Sequence, residues 1–213
     1  TPVLDAIEDI IGPDILLWSS IFIIKEPGDR KFVSWHQDLT YWGLEPAEVA
    51  SVWLALSPTT RESGAMRMIP GSHRRGQVEH TTSEDDENVL LYGQHAAVEI
   101  DESHAVDIVL RPGQMSLHHG LVLHASYPNV SSDRRIGYSM NTMPPHVRQV
   151  KAPEDSAMLL RGADGFGHFR LERRPSADFS EADSAYRESL ERARDGTMGS
   201  DAPDKAVAKS QVN

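Results

Sequence analysis

V-D-I-V-L-R-P-G-Q-M-S-L-H, residues 106–118, decides the fold class. Two short strand-like runs, Val106–Leu110 and Met115–His118, flank the cluster Arg111-Pro112-Gly113. Proline and glycine together end one run and turn the chain before the next. The same unit recurs outward in both directions. Upstream lie runs at Ile15–Ile24, Lys31–Asp38, Ser51–Leu56, Ala65–Ile69, Val89–Leu91 and Ala97–Ile100, with turns at Lys25–Asp29 and Pro70–Ser72. Downstream, Arg135–Met143 follows a turn at Pro128-Asn129. Ile15–Ile24 is too β-branched for a comfortable helix and reads as a buried strand. Many short strands with Gly/Pro punctuation predict a mainly β barrel or sandwich.

Helices flank this β region. Thr1-Pro2 followed by Val3, Leu4, Ile7, Ile10 and Ile11 has helical period, with Thr1 as cap and Gly12 as stop. Ser180 with Asp183 makes a capping box before a second helix, expected to reach about Arg194 and to end by Gly196. Thr81–Asn88 (TTSEDDEN) reads as a solvated acidic loop. No repeat or linker divides the chain, so residues 1–196 are expected to form one domain and 197–213, small and polar, a disordered tail.

Composition narrows the function classes. The chain has 213 residues, 39% of them hydrophobic, which is enough for a sizeable core. Its formal charge of −11 repels phosphate, so nucleic acid and anionic membranes are not expected as partners. No apolar run approaches the roughly 20 residues that span a bilayer. The absence of cysteine excludes disulfide frameworks, thiolate metal sites and Cys nucleophiles, and fits a reducing, cytoplasmic location. The chain begins at Thr1 rather than Met, so the lack of a signal peptide carries no weight.

Histidine carries the chemistry; ten are present. In Trp35-His36-Gln37-Asp38, residues two apart on a strand share a face, so His36 and Asp38 project side by side. That is two thirds of a 2-His-1-carboxylate triad, the ligand set of non-heme Fe(II) oxygenases. By itself an H-x-D is more often a hydrogen-bonded pair. The third ligand must come from elsewhere. In Leu117–Ser126, His124 precedes small residues that leave room for a metal, His119 is the runner-up, and His118 is expected to face away from it. Arg135 follows at the start of the last apolar strand. A guanidinium fork suits bidentate capture of a carboxylate, and a metal triad with a buried arginine is what a 2-oxoglutarate site needs.

The sequence resembles the phytanoyl-CoA dioxygenase family of Fe(II)/2-oxoglutarate-dependent oxygenases. The resemblance rests on W-H-Q-D at 35–38, S-V-W-L-A-L at 51–56, S-G-A-M-R-M-I-P-G-S-H at 63–73, R-P-G-Q-M-S-L-H-H at 111–119, H-A-S-Y-P-N at 124–129 and R-R-I-G at 134–137. It implies a double-stranded β-helix, the jelly-roll or cupin-like barrel, with flanking helices. Members of the family usually begin with several more helices and a strand, which this sequence lacks before Thr1.

The resemblance assigns roles as well. It places His36, Asp38 and His124 at the iron-ligand positions, Arg135 and Ser126 on the distal carboxylate of 2-oxoglutarate, and Trp53 in the wall of the co-substrate pocket. Asn129 and His73 fall at recurring motif positions and read as structural. The implied reaction uses Fe(II), 2-oxoglutarate and O₂ to hydroxylate an unactivated C–H bond of a small molecule, releasing succinate and CO₂. Halogenating relatives carry Ala or Gly where this chain has Asp38, so hydroxylation is favoured. For the substrate pocket, Thr40 and Trp42 keep the parity of His36 and Asp38 if the strand persists. Arg67 is a candidate carboxylate partner, a strand-surface position being the alternative. The competing function is a non-catalytic or degenerate metal-binding jelly roll.

Overall fold

The computed structural model describes residues 1–90 and 93–198, with 193–198 as helical backbone only. Its elements are α1 (Pro2–Ile11), β1 (Ile15–Lys25), β2 (Val33–His36), β3 (Leu44–Glu45), β4 (Ala50–Ala55), β5 (Met66–Met68), β6 (His80–Thr81), β7 (His95–Ala96), β8 (Val106–Asp107), β9 (Met115–His119), β10 (His124–Ser126), β11 (Arg135–Met143), β12 (Arg148–Gln149), β13 (Ser156–Arg161), β14 (Arg170–Leu171) and α2 (Glu181–Met198). A six-stranded sheet runs β14-β13-β1-β11-β4-β9 and a four-stranded sheet runs β2-β10-β5-β8, with short ribbons β12-β3 and β6-β7 beside them. This is the two-sheet jelly-roll class that the strand pattern and the family resemblance predict.

Period-two alternation explains the layers. On β4, Trp53 turns inward and packs with Ala55, Met66, Met68 and Val122 between the two sheets. Its neighbour Val52 turns outward, where Ile7 of α1 packs against it and Ile15. Burial of an isoleucine such as Ile7, 1% exposed, contributes about 1.5–3 kcal/mol. Thr1 caps α1 by accepting from the Leu4 N–H, and Gly12 ends it. A larger cluster of Leu16, Trp18, Leu39, Val49, Leu121 and Met143 closes the other end. Among the described residues no helix is long and apolar enough to cross a membrane.

Several expected elements differ. β1 is buried at its start and again at Lys25, but not between: Ile21 and Phe22 are each 59% exposed and Ile24 46%, where the strand borders a cavity. β2 stops at His36, and Asp38 opens a 3-10 turn, Asp38–Thr40, rather than extending the strand. The strand expected at Ala97–Ile100 forms earlier, at His95–Ala96, where it pairs with β6. Val89 and Leu90 join no strand; Leu91 lies outside the described residues. Helix α2 continues through Gly196 to Met198, since one glycine lowers helix propensity without forcing an end. Residues 199–213, nearly all of the expected tail, lie outside the described residues.

Candidate metal centre and co-substrate pocket

Strands β2 and β10 are antiparallel neighbours, and their register sets His36 opposite His124. The two rings lie 4.1 Å apart, centroid to centroid. The turn after β2 delivers Asp38, whose Oδ1 is 3.4 Å from His36 Nε2 and 3.6 Å from His124 Nε2. Among the described residues these three form the group whose ligand atoms all fall within 4.8 Å of one another. The backbone sets the tautomers. His36 Nδ1 lies 2.9 Å from the Ser34 carbonyl and His124 Nδ1 2.9 Å from the Val122 carbonyl. A carbonyl only accepts, so each Nδ1 carries the proton and each Nε2 presents its lone pair toward Asp38.

Charge at the centre suits a divalent cation. Burial, reinforced by the neighbouring His36, lowers the His124 imidazole to about 3, against the pull of Asp38. Burial alone would raise the Asp38 carboxyl, but the imidazoles of His124, His118 and His36 hold it well below the usual carboxylate range. At neutral pH His124 is therefore neutral and Asp38 ionised, the protonation that metal ligands require. Two imidazole nitrogens and one carboxylate oxygen converging in a buried place fit the facial triad of non-heme iron.

Gln37 anchors the motif. It is fully buried, its Nε2 donating to the carbonyls of Gly76 (2.9 Å) and Leu121 (2.8 Å) while its Oε1 accepts from the Val78 N–H at 2.8 Å. Every polar atom of its amide is satisfied by a backbone group from another loop. The turn carrying Asp38 is thus tied to the chain that leads into β10.

The second half of the site is cationic. Register pairs Lys25 of β1 with Arg135 of β11, and both are buried, at 2% and 1% exposure. Lys25 Nζ donates to Ser126 Oγ at 2.7 Å and to the Tyr127 carbonyl. Among the described residues Arg135 Nε and Nη2 have no partner, and neither has Trp53 Nε1 beside them. The guanidinium carbon sits 5.3 Å from the Trp53 ring centroid. Burial lowers Arg135 to about 10; burial and then the charge of Arg135 lower Lys25 to about 7. Orphaned guanidinium nitrogens in a desolvated place call for an anion. Gly137 makes the arrangement possible: a Cβ there would come within 2.0 Å of the Trp53 ring. His36, Asp38, His124, Trp53, Ser126 and Arg135 all line one cavity of about 400 Å³.

The remaining sequence candidates fall in different places. Trp42 lines that cavity and also packs on the core, its ring 4.9 Å from Trp18. Thr40 does not line it, because the strand whose parity would have pointed it there ends at His36. Its hydroxyl instead meets the Gln37 carbonyl, Gln77 and His80. Arg67 alternates with the inward Met66 and Met68, so it faces the outer side of the smaller sheet. There it pairs with Glu102 at 2.7 Å between the Trp35 and Tyr127 rings, and it lines a separate cavity of about 560 Å³. Asn129 is fully buried, its amide donating to the carbonyls of Lys25 and Asp133, a structural tie.

The facing of two histidines is the reverse of that expected. His118 turns into the cavity, its Nε2 3.7 Å from Asp38 Oδ2. His119 turns away and stacks on His73 at 5.3 Å, its Nδ1 accepting from the Leu121 N–H. Sequence reasoning also missed Lys25, assigned to the turn at 25–29. The signal available was its parity with Ile21 and Ile23 had β1 been carried one residue further.

Comparison with known proteins shows the family. Residues 1–137 match the family model described as Phytanoyl-CoA dioxygenase (PhyH). A curated phytanoyl-CoA dioxygenase from Arabidopsis thaliana is 30% identical over 128 residues, covering 60% of this chain and 44% of that protein. The chain spans about half the length of the curated relatives it matches. A solved structure described as the non-heme monooxygenase ThoJ, apo form, is 38% identical with a TM-score of 0.83, over 92% of this chain and 71% of that one. EvdO2 from Micromonospora carbonacea var. aurantiaca, solved with 2-oxoglutarate, is 27% identical with a TM-score of 0.57, over 70% of this chain and 60% of that one.

Proposed function

Because this chain belongs to the phytanoyl-CoA dioxygenase family, we propose that it is an Fe(II)- and 2-oxoglutarate-dependent dioxygenase hydroxylating a C–H bond of a small molecule. His36, Asp38 and His124 hold the metal through Nε2, Oδ1 and Nε2. Arg135, with Lys25 and Ser126, grips the distal carboxylate of 2-oxoglutarate, and Trp53 walls the same subsite. When bound, iron and 2-oxoglutarate supply the activation of O₂ and the oxidising equivalent, with succinate and CO₂ as co-products. The protein positions the partners and keeps water out; no side-chain acid or base beyond the ligands takes part. Asp38 occupies the place that a halide would need, which favours hydroxylation. The substrate enters past the exposed Ile21, with Trp42 as a further wall of the cavity.

The observation that carries this reading is Arg135: 1% exposed, two of its guanidinium nitrogens unpartnered among the described residues, in the same cavity as the triad. A merely metal-binding jelly roll gains nothing from that costly burial. The test is anaerobic titration with Fe(II) and then 2-oxoglutarate. A weak visible charge-transfer band of the chelate is expected, followed by slow succinate release on admitting O₂. Absence of 2-oxoglutarate binding by calorimetry would favour the non-catalytic reading.

A further inference from the structure

We propose that His118 is a positioning residue that grips the outer oxygen of Asp38 and so fixes which carboxylate oxygen is offered to the metal. The inference rests on the metal-site reading above and adds to it a residue that neither the triad nor the co-substrate subsite uses.

The two oxygens of Asp38 have divided surroundings. Oδ1 faces His36 and His124, at 3.4 and 3.6 Å. Oδ2 faces His118 Nε2 at 3.7 Å and Ser51 Oγ at 3.3 Å. Ser51 is a weak holder by itself, because its hydroxyl has one proton and two acceptors. The shorter contact, 2.9 Å, goes to Asn141 Oδ1. Asn141 in turn donates to Ser19 Oγ at 2.9 Å.

Sheet register builds this row. His118 pairs with Ser51, Ser51 with Asn141 and Asn141 with Ser19, one polar residue from each of β9, β4, β11 and β1. The row is anchored at the Ser19 end and delivers its last member, His118, to Asp38. The side chain is 6% exposed, and its Nδ1 has no hydrogen-bond partner among the described residues. An apolar ring would fill the same space without desolvating two nitrogens. The attraction of Nε2–H for Oδ2, across 3.7 Å and so longer than a hydrogen bond, accounts for the position: it keeps that oxygen off the metal, so a single oxygen is presented and open positions remain for co-substrate and O₂. Partners of this outer kind typically affect metal affinity by 10–100-fold.

The test uses the purified full chain and Co(II), whose visible absorption reports coordination number without turnover. His118→Phe keeps ring volume and removes the donor; His118→Gln places an amide N–H near the position of Nε2. His118→Phe is expected to bind Co(II) at least tenfold more weakly with an altered visible band, and His118→Gln to recover most of both. Ser51→Ala is expected to lose less than His118→Phe. Wild-type affinity and spectrum in His118→Phe, or His118→Gln as weak as His118→Phe, would overturn the proposal. So would a third coordinated nitrogen in the electron paramagnetic resonance of the Cu(II)-loaded wild type, which would make His118 a ligand. If His118→Phe fails to fold by circular dichroism, His118→Gln is compared with His118→Asn, whose amide reaches only the Nδ1 position. Gln is expected to bind more tightly, and equality would refute the assignment. Failure of the wild type to bind either Co(II) or Fe(II) would refute the metal site itself, a different result from a His118 variant that binds normally.

Discussion

Lys25 of β1 and Arg135 of β11 stand opposite one another in register, two buried cations on the inner face of one sheet. Among the described residues Lys25 donates to neutral oxygens, those of Ser126 and Tyr127, and two of the three Arg135 nitrogens have no partner. Like charges brought together out of water destabilise the folded chain until an anion joins them. The pair therefore makes folding stability and co-substrate binding report on each other.

The pH dependence of stability should show it. Burial first, and Arg135 second, lower the Lys25 ammonium from 10.5 to about 7 in the folded protein. Between those two pH values the unfolded chain binds more protons than the folded one, so stability rises with pH across the window and the penalty is complete below it. Urea midpoints of the metal-free protein are expected to climb from pH 7 to 10. Lys25→Met should flatten the slope, and saturating 2-oxoglutarate should flatten it by restoring the charge. A slope unchanged in Lys25→Met would place the proton on another group.

Arg135→Met separates stability from binding. The apolar chain fills similar space and removes an unpaired buried charge, so the melting temperature of the ligand-free protein should hold or rise. Affinity for 2-oxoglutarate should fall by about 10- to 150-fold, the loss of a bond to a charged group being roughly 1.5–3 kcal/mol. Metal affinity should be unaffected. Calorimetry with each ligand separately checks both halves, and normal 2-oxoglutarate affinity would shift attention to Arg134, which pairs with Glu26 at the surface.

Gly137→Ala should act through Trp53. The new methyl would meet the indole at 2.0 Å and push it from its place beside Arg135. Overpacking of this kind costs about 1–3 kcal/mol. Weaker 2-oxoglutarate binding is expected, with iron binding retained. Indole fluorescence, read in a Trp53→Phe background as control, follows the displacement directly.

The two histidines at either end of the 119–124 segment should differ sharply. His124→Ala is expected to abolish iron-dependent succinate release, whereas His119→Ala, whose ring stacks on His73 outside the cavity, should retain it. Gln37→Leu should destabilise the fold by about 1–3 kcal/mol for each backbone group left unsatisfied, as measured by urea unfolding. Reversal of the histidine ranking would exchange their roles.

Much of the site is legible along the chain because its pieces are local. His36 and Asp38 are two residues apart, and the Pro/Gly punctuation around Val106–His118 marks strands whatever their partners. Strand parity predicts the juxtaposition of His36 with Asp38, yet it arises from a 3-10 turn. Parity fails again at Thr40, beyond the strand's end, whereas on β9 His118 and His119 do alternate and only the side each one faces is the reverse of the expectation. The facing of β9 depends on its pairing with β4, which no short-range pattern encodes.

By itself the sequence determined the β class, the helix ends at Thr1 and Gly12, and the residue types able to hold a metal and a dicarboxylate, because propensity, turn chemistry and ligand chemistry act over a few residues. Only the tertiary structure decided that Lys25 meets Arg135, that Arg67 turns outward to Glu102, and that His118 rather than His119 reaches Asp38. Each of those outcomes is set by sheet register, which is fixed by the packing of whole faces and flips every side chain when it shifts by one residue.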